Sequence, residues 1–161
     1  MQEDTRIFLV DDDIVSLKIG KRILQSRYTV TPAASGKKLL EMLETLPADM
    51  ILLDIDMPET GGFEVLRILK SSPSTCDIPV VLLADHNDDS DKQEGFSLGA
   101  AEYISKPFSK ALLCNRIEHI LLLERQKRSF RPLLKISEKF RLITKRLLRH
   151  CSAPFCCGLP I

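Results

Sequence analysis

The sequence predicts an α/β fold, a doubly wound sheet of five parallel strands followed by a basic helical C-terminal tail. Three observations predict it. Short apolar or β-prone runs at Ile7–Val10, Tyr28–Thr31, Met50–Leu53, Ile78–Leu83 and Ala101–Ser105 alternate with stretches of helical periodicity. The third run, MILL, carries no polar residue, as expected of a strand covered on both faces. The first, third and fifth runs end in Asp11-Asp12, Asp54 and Lys106. Right-handed crossovers bring such strand ends to one edge of the sheet, where open α/β sheets place their ligands.

Each element has a local cause. Ile7–Val10 runs into Asp11-Asp12-Asp13, and a helical pattern follows with Ile14, Leu17 and Leu24 on one side. Gly20 weakens that helix by about 1 kcal/mol relative to Ala. The second strand is closed by Pro32, and Ser35 caps a helix carrying Leu39, Leu40, Leu43 and Leu46. After Met50–Leu53 the segment Met57-Pro58 forces an extended or turn conformation. Gly61-Gly62 ends that loop, and a helix follows with Phe63, Leu66 and Leu69 inward. Pro79 stands near the start of the fourth strand, where proline is tolerated. The acidic loop Asp85–Asp91 leads to a weak helix ending at Gly99, and Lys106-Pro107-Phe108 closes the fifth strand. From Ser109 a helix runs through Leu112, Leu113, Ile117, Ile120 and Leu121 to Glu124.

The bulk properties bound the class. A chain of 161 residues suits one domain and an extension, 1–124 and 125–161. No apolar run approaches the ~20 residues of a membrane span. The acidic start MQEDTR lacks the form of a secretory signal, and five Cys point to free thiols, so a cytoplasmic setting is expected. The net charge of +1 conceals an asymmetry. Residues 1–123 hold 13 basic against 20 acidic groups (−7), whereas residues 124–161 hold 10 against 2 (+8).

Clustered carboxylates without His or Cys suit a hard, oxygen-preferring cation, foremost Mg²⁺. A lysine beside them offsets their repulsion and pairs with an incoming anion. Acids, a hard cation and a lysine describe a phosphoryl-transfer site, in which Asp54 is a candidate nucleophile. The plainer alternative is a set of solvated turn acids.

FLVDDD (8–13), ILLDIDMPETGGFEVL (51–66), IPVVLL (78–83) and GAAEYISKPF (99–108) resemble the receiver domain of two-component response regulators, over roughly residues 5–124. The resemblance implies a flavodoxin-like, receiver-type sheet and a phosphorylation-dependent switch rather than a turnover enzyme. It implies Asp54 as phosphoacceptor and Lys106 as the lysine on the phosphoryl group. It also implies Asp12 as direct Mg²⁺ ligand, Asp11 as its partner largely through water, and Asp56 as a ligand through its backbone carbonyl. Tyr103 falls where the family has an aromatic ring that swings inward on activation; a half-buried edge-strand aromatic fits equally. The implied partner is a sensor histidine kinase or phosphotransfer protein, with output through protein contacts.

One departure stands out. Where the family usually has Ser or Thr and then a small residue, this chain has Ala84-Asp85. Losing a charge-assisted hydrogen bond of that kind costs about 1.5–3 kcal/mol. Asp85 also adds negative charge near an anion's path. Asp54 is thus expected to accept a phosphoryl group, with weakened coupling to the Tyr103 face. His86 lies where the family varies a residue that tunes acyl-phosphate lifetime, or is simply a solvated loop histidine.

In the tail, Gln126–Arg131 reads as a polar linker. Leu133, Ile136, Phe140, Ile143 and Leu147 form the apolar stripe of a basic amphipathic helix. Such a helix suits packing on its own domain or a second copy, a nucleic-acid backbone, or an anionic membrane surface. No DNA-reading motif follows, which argues against sequence-specific DNA binding. His150, Cys151, Cys156 and Cys157 do not match common zinc spacings, and Cys151–Ile161 reads as disordered. A phosphorylation-independent adaptor, and a nucleic-acid or membrane binder driven by the tail, are the competing functions.

Overall fold

The structure is a computed structural model that describes residues 5–58 and 60–129. Its strands are β1 (Arg6–Val10), β2 (Thr29–Ala33), β3 (Met50–Asp54), β4 (Val80–Ala84) and β5 (Glu102–Ser105). They form one sheet in the order β2-β1-β3-β4-β5, and every neighbouring pair is parallel. The helices between them are α1 (Ile14–Leu24), α2 (Gly36–Leu43), α3 (Gly62–Ser71) and α4 (Asp89–Ser97). A fifth, α5, is helical over residues 110–129. The chain divides into two units, Met1–Leu122 and Leu123–Ile161, and the sheet belongs to the first.

Alternation along the strands sends side chains to two cores. Ile7, Leu9, Leu52 and Leu83 meet Leu17 and Leu24 of α1 and Leu113, Ile117 and Ile120 of α5. Phe8, Val10, Ile51, Leu53 and Leu82 meet Leu39 of α2 and Val65, Leu66 and Leu69 of α3. A sheet with helices on both faces is therefore what the apolar runs specify, and the interior strands β3 and β4 are buried throughout.

Several local readings need correction. Ile14 is exposed, because the inward face of α1 is Leu17, Gly20 and Leu24. Gly20 is a packing requirement there: a Cβ would stand 2.6 Å from a methyl carbon of Leu9, so glycine lets α1 lie close on β1. In α5 the inward residues include Leu113 and Cys114, and Leu112 is exposed. Pro32 lies within β2 rather than closing it, as an edge strand allows. β4 begins at Val80 and ends on Ala84, not Leu83.

The expected linker at Gln126–Arg131 is helical through residue 129. No proline or glycine intervenes before Pro132, and within the second unit Lys127 pairs with Glu124 at 2.6 Å, a spacing that supports a helix. The amphipathic stripe from Leu133 to Leu147, and His150, Cys151, Cys156 and Cys157, lie outside the described residues. No helix among the described residues is long and apolar enough to cross a membrane.

Candidate functional site

The ends of β1, β3 and β5 converge on one cluster. Asp11 immediately follows β1 and is 2% exposed; Asp54 is the last residue of β3 and is 3% exposed. Lys106, directly after β5, reaches between them. Its Nζ donates to Asp11 Oδ2 at 2.9 Å and to Asp54 Oδ2 at 2.8 Å. Three strands with fixed register thus aim three side chains at one point.

Backbone donors complete the carboxylates. Asp11 Oδ1 accepts from the Asp13 N–H at 2.9 Å, and Asp54 Oδ1 accepts from the Asp56 N–H at 3.3 Å. Burial raises the Asp54 carboxyl above its usual range, more than Lys106 and the Asp56 N–H lower it. Burial by itself would lower the Lys106 ammonium, yet its bonds to Asp54 and Asp11 leave it raised. The ammonium is therefore firmly charged, and the Asp54 carboxylate is held at a desolvation cost.

Asp12 is exposed and borders this pair. Carboxylate oxygens of Asp11, Asp12 and Asp54 all lie within 4.8 Å of one another. An all-oxygen, anionic set with one solvent-facing member fits a hard divalent cation that keeps part of its water. Asp13, the third of the run, has a different task. It caps α1, its carboxylate accepting from the N–H groups of Val15 and Ser16 at 3.1 and 3.0 Å. Those bonds hold its carboxyl below the usual range.

The loop after β4 forms another wall. Ala84 is fully buried and presents no hydroxyl. Asp85 Oδ1 stands 4.0 Å from Lys106 Nζ, which brings a fourth carboxylate to the cluster. The Asp85 N–H donates to Asp56 Oδ2 at 3.2 Å, which joins the β4–α4 loop to the loop after β3. The Tyr103 hydroxyl donates to the His86 carbonyl at 2.8 Å from the half-buried edge strand β5. Burial, then the carboxylates of Asp91, Asp56 and Asp88, raises the Tyr103 hydroxyl above its usual range. His86 itself is exposed.

The structure brings the sequence candidates Asp11, Asp12, Asp54 and Lys106 together in one cluster. Sequence reasoning missed the side chain of Asp56 as a bridge between loops, for which the sequence carries no signal beyond proximity to Asp54. It also missed a cavity of about 200 Å³ between α1 and the segment after β5. Leu9, Ile19, Ile23 and Phe108 line it together with Asp11 and Lys106.

Residues 7–118 match the family described as the response regulator receiver domain. The chain belongs to that family. Among curated relatives of this receiver, the "Probable cyclic di-GMP phosphodiesterase" of Vibrio cholerae is 40% identical over 121 residues, 75% of this chain and 27% of that protein. "Two-component response regulator ORR3" of Oryza sativa subsp. indica is 35% identical, over 72% of this chain and 92% of that protein. Among solved structures, a CheY-like receiver domain protein from Methanospirillum hungatei superimposes with a TM-score of 0.73 at 25% identity, covering 78% of this chain and 99% of that one. The chain spans about half the length or less of the first curated relatives, and the phosphodiesterase name belongs to a protein of which the receiver is about a quarter. A receiver is a signalling module, and that is what the similarity carries over.

Proposed function

We propose that the protein is a phosphorylation-dependent switch of a two-component system, accepting a phosphoryl group on Asp54 from a sensor histidine kinase or phosphotransfer protein. The observation that carries this reading is the bifurcated contact of Lys106 Nζ with Asp54 and Asp11, two carboxylates buried at the ends of parallel strands. In the reaction an Asp54 oxygen forms the new O–P bond while the P–N bond of the donor phosphohistidine breaks. The departing imidazole keeps the electron pair and takes a proton from solvent. Lys106 then contacts a phosphoryl oxygen, its charge stabilising the anion in a site that excludes much of the water. Asp11, Asp12, Asp54 and the backbone carbonyl of Asp56 are the proposed Mg²⁺ ligands, and the ion, when bound, neutralises charge on the phosphoryl oxygens. Residues 1–124 constitute the receiver, which acts through protein contacts in the cytoplasm.

The test is intact-protein mass after incubation with acetyl phosphate and Mg²⁺. A single phosphoryl adduct on the wild type and none on Asp54→Asn is the expected result. No adduct, even at short times with a kinase donor, would contradict it.

A second reading, a phosphorylation-independent adaptor, is favoured by two observations: Ala84 offers no hydroxyl, and Asp85 brings a carboxylate to 4.0 Å from Lys106. Partner binding unchanged by Asp54→Asn would favour the adaptor.

A further inference from the structure

The departure at Ala84-Asp85 leaves open how occupancy of Asp54 would be felt by the β4–α4 loop. The hydrogen bonds around Asp56 supply an answer. Its main-chain N–H donates to Asp54 Oδ1 at 3.3 Å, while its carboxylate accepts from the Asp85 N–H at 3.2 Å. Asp56 is thus bonded through its backbone to the proposed phosphoacceptor and through its side chain to the loop that follows β4. One residue further on, the His86 carbonyl accepts from Tyr103. The start of this loop is held from two sides, by Asp56 from the β3 end and by Tyr103 from β5. The anion that holds it is already part of the chain.

We propose that the Asp56 carboxylate is an internal stand-in for the phosphoryl group, tethering the β4–α4 loop through the Asp85 N–H until Asp54 is phosphorylated. This rests on the reading of Asp54 as phosphoacceptor and adds the way in which this chain responds. A phosphoryl group on Asp54 places negative charge beside Asp56 and Asp85, the two residues joined by the tether. With no hydroxyl on Ala84 to draw the loop inward, the consequence of phosphorylation is loss of the Asp56 tether. Like-charge repulsion acts in the same direction, because Asp85 itself carries a carboxylate near Lys106. The loop is released rather than pulled. Asp56 is accordingly a positioning residue acting through the Asp85 amide, in addition to the ligand role proposed for its carbonyl.

The test is residue-resolved amide hydrogen exchange over residues 85–88 of the full chain. Wild type, Asp56→Ala and Asp56→Asn are compared unmodified in metal-free buffer and again after acetyl phosphate and Mg²⁺, with adduct content read by mass on the same samples. In the unmodified state exchange is expected to be several-fold faster in Asp56→Ala than in wild type, and intermediate in Asp56→Asn, which keeps an acceptor oxygen without the charge. Phosphorylation should bring the wild type to the level of Asp56→Ala and leave Asp56→Ala unchanged. Equal exchange in unmodified wild type and Asp56→Ala would overturn the tether. Greater protection of these amides in adduct-bearing wild type would overturn the release. Absence of any adduct would overturn the reading of Asp54 and the release with it, while the unmodified comparison still decides the tether.

Discussion

Asp11 and Asp54 are buried side by side with the Lys106 ammonium within hydrogen-bond reach of both. Removing that ammonium leaves two desolvated carboxylates facing each other. Lys106→Met is therefore expected to destabilise the fold by about 3 kcal/mol at neutral pH, as read by urea unfolding. The deficit should shrink toward acid, where protonation removes the repulsion. A variant as stable as wild type at pH 7 would contradict the geometry. Asp54→Asn is expected to act in the opposite direction. Burial raises the Asp54 carboxyl above its unfolded value of 3.8, so its ionisation is disfavoured in the folded state. Wild type then loses stability as pH rises from the unfolded value through the raised folded one, and the Asn variant does not. In chelator-containing buffer the melting temperature of Asp54→Asn should exceed that of wild type at pH 7, with a gap that narrows toward pH 3. At this scale the sequence was informative about the acids and the lysine, since strand ends are where buried charge is placed by topology. It was silent on Asp13 and on the Asp56 side chain. Their tasks depend on which N–H groups come within reach, and spacing alone does not show that.

The elements were legible where periodicity was strong and less so at their boundaries. Each strand is recognisable as an apolar or β-prone run, yet Pro32 reads as a stop in the sequence because its edge position becomes visible only in the strand order. Gly20 looked like a defect in α1, whereas its missing side chain makes room for Leu9. Gly62 has the same logic at the site itself. A Cβ there would collide with the Asp54 carbonyl oxygen and the Ile55 Cα, so the start of α3 can lie against the end of β3 only without a side chain. Gly62→Ala is expected to cost about 1–3 kcal/mol in urea unfolding. Because the clash falls on the residue proposed to be phosphorylated, it should also slow labelling by acetyl phosphate. Unchanged stability would show that the α3 start shifts freely, and the positioning argument would fail.

Taken as a whole molecule, the chain places an acidic sheet-edge site on a receiver scaffold whose usual fourth-strand hydroxyl is absent. Fold and site location followed from the sequence because both depend on the same pattern, apolar strands that stop at charged residues. The response of the loop did not follow, because it depends on hydrogen bonds between loops that no periodicity encodes. Restoring the hydroxyl with Ala84→Ser supplies a charge-assisted bond to a phosphoryl mimic. Affinity for beryllofluoride at saturating Mg²⁺ is expected to rise about tenfold or more over wild type in a calorimetric titration. No gain would mean that position 84 does not face the anion. The central claim is that Asp54 itself carries the phosphoryl group. It is tested most directly by treating the protein with acetyl phosphate and Mg²⁺, reducing the acyl phosphate with borohydride and mapping the resulting homoserine by peptide mass. Homoserine at position 54 is the predicted result. Homoserine at 11, 12, 56 or 85 instead, or none in a sample with a proven phosphoryl adduct, would contradict it.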